Sequence, residues 1–274
     1  MPELPEAETI ARDLRRHIVG STITGVRVTH ADVLAPGVSP ESLDRALRGR
    51  RIEDVGRRAK NLVLTFDDGT RLVVNLGMTG RLVVGSSPRA GELRHVAVRF
   101  DLHTDAPLLY DDIRRFGRIE LHSAESWAER ENTFGVEPLS DRFTAEHLRS
   151  LVRASRTPIR NFLLDQKRIA GIGNIYANEA LFRAGVHPAR PANTLSADEA
   201  ARLRDAIRDV LSEAIEARGT TFSDYRDARG ETGGFQFRLR VYGREDEPCP
   251  VCGTAIQRIV LSNRSAFFCP HCQR

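Results

Sequence analysis

The sequence predicts an α+β fold in which a β-rich N-terminal region precedes a helical region and a short cysteine-containing hairpin. Short β-branched segments separated by turn signals such as "DDGT" fill about residues 22–121, a pattern typical of antiparallel strands in a sheet or sandwich. From about residue 144 to 217, apolar positions recur at the helical period. The 274 residues exceed what one hydrophobic core usually organises, so we expect more than one domain.

The first predicted element is an N-terminal helix. Ile10, Leu14 and Ile18 recur every four residues, which places them on one face of a helix that ends at Gly20. Strands are then predicted at four β-branched runs, "TITGVRVTH", "NLVLTF", "RLVVNLG" and "HVAVRF". Later helices are predicted at "AEHLRSLV", "IRNFLLDQ", "IYANEALFRAG" and "ADEAARLRDAIRDVLSEAI".

Two irregular stretches separate these elements. The segment "TFGVEPLSDRFT" places a Gly, a Pro and an Asp between the last strand and the first long helix, and we expect the domain boundary there. The segment "RGTTFSDYRDARGETGGFQFRLRVYG" mixes glycines, acids and arginines without a sustained period. We predict that it is a mobile surface loop, and loops of this length are often functional.

The opening "MPELPEAET" has two interpretations. In the structural one, Glu3 and Glu6 are acidic residues at the positive end of a helix dipole. In the chemical one, removal of Met1 leaves Pro2 with a free secondary amine. The start of the chain alone does not decide between them.

Composition limits the class of protein. Hydrophobic residues make up 41% of the chain and charged residues 28%, as in soluble globular proteins, which argues against disorder. No window approaches the roughly 20 apolar residues that span a bilayer, so we expect a cytoplasmic protein. The net charge of +4 and the pI near 9.1 are compatible with a polyanionic partner. Only Lys60 and Lys167 are lysines among 41 basic residues, so each is a candidate for a special role or a chance position on a solvated face.

The four cysteines form two C-x2-C pairs separated by sixteen residues, and they are Cys249, Cys252, Cys269 and Cys272. This spacing predicts one closed tetrahedral Zn²⁺ site, with a β-hairpin between the pairs. Two disulfides are the alternative, which a reducing compartment disfavours. The hairpin carries Arg258 and Arg264, and we expect little acidic surface nearby to pair with them, which favours phosphate contact.

Several motifs together resemble the formamidopyrimidine-DNA glycosylases, bacterial base-excision enzymes of the group that includes endonuclease VIII. They are "PELPEAET", Lys60, "LGMTGRL" at 76–82, "YDDIRRFGR" at 110–118, "AGIGNIYANEALFRAGVHP" at 170–188, "VYGRE" at 241–245 and the cysteine hairpin. The resemblance covers nearly the whole chain in the same order. It implies an N-terminal helix plus β-sandwich at 2–135, a helix–two-turns–helix domain at 136–235 and a zinc-ribbon finger at 236–274.

The resemblance also implies the chemistry. In this family an amine attacks the sugar C1′, expels the damaged base and holds the sugar as a Schiff base, after which two eliminations cut the strand. It assigns the nucleophile to Pro2, proton transfer to Glu3, catalysis or its direct support to Lys60, and a phosphate contact in the catalytic group to Arg264. A terminal amine titrates near 7.7–8.0 and lysine near 10.4, so Pro2 would be unprotonated roughly a hundred times more often than a lysine.

Further residues are implied to contact DNA or to support the site. Met78, Arg114 and Phe116 would fill the gap left by the extruded nucleotide, with Arg114 also reading the opposite base. The remaining residues implied by the resemblance are Asn174 and Tyr242 for phosphate, Glu6 as a supporting carboxylate and Glu179 as an orienting acid. Arg258 is a further candidate DNA contact because of its place on the hairpin. The segment from about Gly219 to Phe237 would close over an oxidised purine.

Two alternatives remain open. One is an endonuclease VIII-like glycosylase for oxidised pyrimidines, although "PELPE" favours oxidised purines. The other is a DNA-binding relative without catalysis.

Many relatives carry histidine where this chain has Asn75, which puts local phosphate affinity in doubt. The expected partner is double-stranded DNA with oxidised bases or abasic sites, bound by a monomer at the nucleoid, with one structural Zn²⁺ as the cofactor.

Overall fold

The computed structural model describes residues 2–87, 90–221, 225–228 and 230–274. The chain divides into two compact units: Met1–Asn132 with Ala217–Gln236, and Thr133–Glu216 with Phe237–Arg274. The second unit begins at the first residue of "TFGVEPLSDRFT", where the sequence places the boundary. The division at 135/136 and 235/236 stays a prediction, since contacts group the 217–236 segment with the N-terminal unit.

The N-terminal unit combines helices with two four-stranded antiparallel sheets. Its elements are α1 (Leu4–Ile18), β1 (Ile23–Val28), α2 (Pro40–Leu47), β2 (Ile52–Arg58), β3 (Asn61–Phe66), β4 (Arg71–Asn75), β5 (Arg81–Val84), β6 (Val96–Leu102), β7 (Leu108–Asp111), β8 (Arg118–His122) and α3 (Ala124–Glu131). The strand orders are β1-β6-β7-β5 and β2-β3-β4-β8. The predicted N-terminal helix and antiparallel sheets are confirmed.

One hydrophobic core joins α1 to both sheets. Leu14 from α1, Phe66 from one sheet and Phe100 from the other are fully buried in the same cluster. Each such side chain contributes about 1.5–3 kcal/mol when it leaves water. Helix α1 presents its four-residue apolar period to this core, so the predicted amphipathic face is the buried one. Its start, which carries the candidate site, is therefore fixed by packing.

The second unit contains the helices and the hairpin predicted from the sequence. They are α4 (Ala145–Arg153), α5 (Ile159–Leu164), α6 (Asn174–Ala184), α7 (Ala197–Glu216), β9 (Gln257–Leu261) and β10 (Arg264–Phe268). Helix α6 starts after Gly173 and ends at Gly185, whose φ of 71° lies in the left-handed region that glycine adopts without strain. A two-residue turn at Ser262 and Asn263 joins β9 to β10, and both residues have positive φ, as tight hairpins require.

Helix α6 packs directly on the cysteine hairpin. Phe182 from the helix forms one buried cluster with Val241, Ile256 and two of the cysteines.

Short 3-10 turns lie at Ala31–Val33, Ala90–Glu92, Ala192–Thr194 and Phe235–Arg238. Among the helices of the described residues, none has both the length and the apolar character needed to cross a bilayer.

The 217–236 segment differs from its prediction. Tyr225 and Ala228 are 7% and 3% exposed and belong to the core of the N-terminal unit, and Phe235 is fully buried. The prediction of a surface loop is therefore wrong for these residues, because isolated apolar side chains anchor a segment that has no regular period. Residues 222–224 and 229, like Met1, lie outside the described residues, so the predicted purine-contact segment is described only in part.

Candidate functional site

The start of helix α1 places Pro2 beside two buried carboxylates. Glu3 and Glu6 are 2% and 1% exposed, and they form a capping box at the helix N-terminus. Glu6 Oε2 accepts the Glu3 backbone N–H at 2.8 Å, and Oε1 accepts the Thr220 N–H at 2.7 Å. Glu6 thus fixes the backbone directly after Pro2, which is itself buried. Both interpretations of the opening sequence are compatible with this geometry.

Lys60 lies in the two-residue turn between β2 and β3, directly before the predicted strand "NLVLTF". Its neighbour Ala59 is buried and has a φ of 54°, a conformation that costs a non-glycine residue about 1–2 kcal/mol. Arg57 holds this turn by donating to the Ala59 carbonyl at 2.9 Å, and it also donates to Glu8 of helix α1 at 3.0 Å. The turn that carries the half-buried Lys60 is therefore tied to helix α1.

Met78, Arg114 and Phe116 are brought together on two loops of the N-terminal unit. Arg114 Nη1 lies 3.3 Å from Met78 Sδ, and the guanidinium carbon lies 4.6 Å from the centre of the Phe116 ring. Met78 is 40% exposed and Phe116 is 61% exposed. Exposure of this size is unusual for two large apolar side chains beside each other, so they are available to contact a partner.

A buried carboxylate that the sequence analysis missed, Asp112, connects these two loops. Asp112 is fully buried and accepts hydrogen bonds from Thr79 Oγ1 at 2.5 Å, Tyr110 Oη at 3.1 Å and the Gly117 N–H at 2.9 Å. Burial, followed by the Asp112 charge, raises the pKa of Tyr110, so the phenol stays protonated and donates. The adjacent aspartates in "YDDIRRFGR" were the only signal of this role.

In the second unit, Asn174 opens helix α6 and is held by Arg160. Arg160 is fully buried, and its Nη2 donates to Asn174 Oδ1 at 2.6 Å and to the Ser265 carbonyl at 3.1 Å. Asn174 Nδ2 also donates to the Ser265 carbonyl, at 3.0 Å. The helix N-terminus is thus joined to the hairpin strand β10. Arg160 was missed, although a charged residue inside the apolar run "IRNFLL" was a signal.

Glu179 is fully buried and orients the segment that carries Tyr242. Its carboxylate accepts the backbone N–H groups of Arg240, Val241 and Tyr242 at 2.9–3.0 Å. Burial raises the pKa of Glu179 even though these three donors favour the charged form. The Tyr242 ring packs edge-on against Phe267 of β10, with the ring centres 5.3 Å apart.

The two hairpin arginines differ in their surroundings. Arg258 donates to Glu245 at 2.7 Å, so the expectation that it lacks nearby acidic surface is wrong, because a turn outside the hairpin brings Glu245 alongside. Arg264 is exposed at the first position of β10, and its side chain makes no ion pair within the described part of the chain. It lines a cavity of about 270 Å³ with Asn161 and other α5 residues and with Asp165, which directly follows α5.

The four cysteines are suited to one zinc ion. Their sulfur atoms all lie within 4.8 Å of one another, and the Cys249–Cys272 and Cys252–Cys269 pairs are 4.0 and 3.4 Å apart. A tetrahedral site with Zn–S bonds of about 2.3 Å requires sulfur–sulfur distances of roughly 3.8 Å. None of the four forms a disulfide, so the zinc interpretation is favoured and the disulfide alternative is not.

The predicted site residues divide between the units. Pro2, Glu3, Glu6, Lys60 and the Met78 group lie in the N-terminal unit, and the others lie in the second. Residues 1–119 match the formamidopyrimidine-DNA glycosylase N-terminal domain, residues 134–226 match the H2TH domain of the same family, and residues 246–274 match a zinc finger found in FPG and IleRS.

Individual relatives match over their whole length. The chain is 46% identical to the formamidopyrimidine-DNA glycosylase of Chloroflexus aggregans over 274 residues, covering 100% of this chain and 98% of that protein. It is 45% identical to that of Thermomicrobium roseum over 288 residues, covering 100% and 99%.

Solved structures agree with the sequence matches. The MutM (Fpg) protein of Thermus thermophilus superimposes with a TM-score of 0.88 at 40% identity, covering 99% of this chain and 98% of that one. A complex of Lactococcus lactis Fpg with abasic-site DNA superimposes with a TM-score of 0.89 at 35% identity, covering 99% of both chains. Because the matches extend from the Pro2–Glu3 start to the four-cysteine hairpin, the chain belongs to the formamidopyrimidine-DNA glycosylase family.

Proposed function

We propose that the protein is a bifunctional DNA glycosylase and AP lyase that excises oxidised purines, namely 8-oxoguanine and formamidopyrimidines, from duplex DNA. The observation that carries this proposal is the Pro2–Glu3 start, held by the buried Glu6 carboxylate, in a chain that matches the family over its full length. Related Lactococcus lactis proteins are described in complexes with abasic-site DNA and with Fapy-dG DNA. The same substrate classes are proposed for this chain.

The chemistry begins at the Pro2 nitrogen once Met1 has been removed. The neutral amine donates its lone pair to C1′, the bond from C1′ to the base breaks, and the base leaves with the bonding electrons and takes up a proton. The nitrogen then loses its N–H proton, and the lone pair this leaves forms a C=N⁺ bond as the C1′–O4′ bond breaks and O4′ takes up a proton. Because Pro2 is a secondary amine, this iminium has no N–H to lose, and its charge acidifies the C2′ hydrogens.

Glu3 and Lys60 support these steps. Glu3 is covalently adjacent to the nucleophile, and we assign to it the transfer of the O4′ proton, as a general acid near a developing charge. Loss of a C2′ proton then breaks the C3′–O3′ bond, and a second elimination breaks the C5′–O5′ bond. Lys60 is assigned to the phosphates beside the lesion, where a compact ammonium makes a point contact.

The remaining residues hold the distorted DNA. Extrusion of a nucleotide costs a few kcal/mol, and we assign Met78, Arg114 and Phe116 to the gap that it leaves. Asn174, Tyr242 and Arg264 are assigned to the flanking phosphates, with Arg258 as a further contact and Glu179 as the residue that orients Tyr242. The four cysteines would hold one Zn²⁺, which would supply a structural crosslink of the hairpin.

Borohydride trapping tests this proposal. The processed protein and an 8-oxoguanine:cytosine duplex should give one covalent protein–DNA product, mapped by mass spectrometry to Pro2. A variant with Gly-Ser placed before Pro2 should give none. Lys60→Ala should lose about 10²-fold in excision, whereas the exposed Lys167→Ala, a matched lysine control, should change excision by less than about twofold.

Two results would contradict the proposal. Retained trapping in the Gly-Ser variant would exclude Pro2 as the nucleophile. Faster excision from a thymine glycol duplex than from the 8-oxoguanine duplex would favour the oxidised-pyrimidine alternative, and one related Lactococcus lactis protein is described in complex with DNA containing an oxidised pyrimidine.

The working form is proposed to be a monomer that acts at the nucleoid, since one chain carries every residue assigned above. Analytical ultracentrifugation of the protein with and without a lesion duplex should give one chain per duplex. A stoichiometry of two chains per lesion would contradict the monomer.

A further inference from the structure

The loop that carries Arg114 and Phe116 is held at both ends by the Asp112 network. The Gly117 N–H donates to Asp112 at 2.9 Å, and the Arg114 N–H donates into the same network at 3.0 Å. Between these two points, neither Arg115 nor Phe116 makes a backbone hydrogen bond to any residue that the structure describes. The middle of the loop therefore depends on side-chain contacts for its position.

The side chain of Arg115 connects the middle of this loop to a separate part of the N-terminal unit. Arg115 Nε lies 3.0 Å from Asp32 Oδ2, and its Nη1 donates to His30 Nδ1 at 3.2 Å. Arg115 also has a φ of 52°, a left-handed conformation that favours glycine. A residue strained in this way keeps its conformation only where its surroundings hold it, and here the contacts with Asp32 and His30 do so.

The segment that contains His30 and Asp32, residues 30–35, is itself fixed to the core. Val33 is fully buried and Leu34 is 6% exposed, and both belong to the core cluster of the N-terminal unit. Arg118, at the start of β8, donates its Nη1 to the Leu34 carbonyl at 3.1 Å. Residues 30–35 are thus joined to the core and to the strand that follows the loop, so Asp32 is a fixed anchor.

The anchored residue lies between the two residues that are assigned to the DNA gap. The guanidinium carbon of Arg114 lies 4.6 Å from the centre of the Phe116 ring, so these two side chains share one side of the loop. Arg115 is the residue between them, and its backbone conformation sets how they are oriented. Arg115 and Asp32 are 44% and 56% exposed, and an ion pair this exposed contributes little to global stability. Its effect is expected in the position of the loop.

We propose that Arg115, held by Asp32, is a positioning residue that fixes Arg114 and Phe116 and thereby sharpens discrimination of the base opposite the lesion. This inference rests on the proposed function, in which Arg114 reads that base. Hydrogen bonds to a base edge depend on direction, so a guanidinium that moves with a loose loop distinguishes bases poorly. Loss of the contact between Arg115 and Asp32 should therefore lower selectivity without unfolding the protein.

The test uses two variants of the full-length zinc-loaded protein that change its charge in opposite directions. Arg115→Ala removes a positive charge, and Asp32→Asn removes a negative one. Both should lower the ratio of kcat/KM for 8-oxoguanine opposite cytosine to that opposite adenine by at least about threefold, because both break the same contact. A direct phosphate contact by Arg115 would instead make Arg115→Ala weaken DNA binding and Asp32→Asn strengthen it.

Two combined variants separate a shared contact from two independent effects. Arg115→Ala with Asp32→Asn should lower the ratio no further than either change alone, since the second change has no contact left to break. Arg115→Asp with Asp32→Arg restores opposite charges, and aspartate tolerates the left-handed conformation, so this exchange should recover about half of the lost selectivity. The melting temperature of each variant should stay within about 3 °C of wild type, as expected for an exposed ion pair.

The matched control is the exposed ion pair of Arg15 and Asp54 in the same unit, with atoms 2.9 Å apart and side chains 52% and 53% exposed. Arg15→Ala and Asp54→Asn should leave the ratio unchanged. An unchanged ratio in either Arg115→Ala or Asp32→Asn, or additive losses in their combination, would overturn the role of Arg115 and leave the proposed function standing. A wild-type protein that excises 8-oxoguanine from neither duplex would overturn the proposed function, and this inference with it.

Discussion

Asn75 and Asn61 lie opposite each other on strands β4 and β3, and the Asn75 side-chain amide donates to Asn61 Oδ1 at 2.9 Å. Asn75 Oδ1 accepts the Gly77 N–H at 3.0 Å, and Asn61 Nδ2 donates to the Arg58 carbonyl at 3.2 Å. This chain of hydrogen bonds connects the turn beside Lys60 to the loop of Met78. Asn75 therefore has an internal structural role in addition to any contact with phosphate.

We expect Asn75→Ala to destabilise the protein by about 1–3 kcal/mol, because it leaves Asn61 Oδ1 and the Gly77 N–H without their partner. Asn75→Asp should cost a similar amount despite its equal size, since a carboxylate oxygen would face Asn61 Oδ1. Urea unfolding measures both. The exposed Asn193→Ala is the control and should stay within about 0.5 kcal/mol of wild type.

Asp112 gives a second prediction, about the two loops that carry Met78 and Phe116. Asp112→Asn keeps the size of the side chain but replaces one acceptor oxygen by an amide donor. Thr79, Tyr110 and Gly117 must then share the one remaining acceptor oxygen. We expect a loss of about 2–4 kcal/mol of stability, as for other broken buried networks. The melting temperature measures this loss.

The same variant should lower discrimination of the base opposite the lesion, because Arg114 donates its backbone N–H to Thr79 Oγ1, 3.0 Å away. Excision from 8-oxoguanine paired with cytosine and with adenine measures the discrimination. Unchanged selectivity in a folded Asp112→Asn protein would show that the loops hold their positions without this carboxylate.

The sequence predicted those elements whose signal is local. Helix α1 has a regular four-residue apolar period, and the cysteine spacing alone specifies a metal site. Strand β2 was missed, because "IEDVGRR" is largely polar and is held by its pairing with β3. Its structure depends on contacts that no window of the sequence contains.

The site residues also divide into those with a local sequence signal and those that depend on contacts with distant residues. Pro2 could be singled out because the motif to which it belongs is one short stretch of sequence. Arg160 could not, since its carbonyl partner at Ser265 lies 105 residues away in the sequence. The prediction that Arg258 has no acidic neighbour was wrong for the same reason, because Glu245 comes from outside the hairpin.

Zinc removal provides a third prediction. The hairpin packs on Phe182 and Val241 through the cysteine cluster, so loss of the metal should release both the hairpin and the segment that carries Tyr242. We expect one zinc per chain by elemental analysis and a loss of DNA affinity of at least about tenfold after chelation, in line with the large folding energies of structural zinc sites. Full affinity in zinc-free protein would contradict this.

The last prediction concerns acid stability. Glu199, at the start of helix α7, makes a two-pronged contact with Arg190 at 2.6 and 2.9 Å. The hydrogen bond from Arg190, opposed by burial and aided by the Ser196 N–H, lowers the pKa of Glu199 from 4.5 to about 2. A lowered carboxyl pKa stabilises the fold fully above the unfolded value, near 4.5, and this stabilisation is lost as the pH falls towards 2.

Glu199→Gln should therefore lower the free energy of unfolding by about 1–3 kcal/mol at pH 7, a range that allows for the partial exposure of both side chains. This loss should become smaller as the pH falls from 4.5 to 2. Urea unfolding of both proteins at several pH values gives the difference directly. Glu53→Gln, whose exposed carboxylate lies 3.8 Å from Arg51, is the control and should cost less than about 0.5 kcal/mol throughout. A Glu199→Gln cost that stayed constant down to pH 2 would mean that the carboxylate charge contributes nothing and that only the geometry of the contact stabilises the helix start.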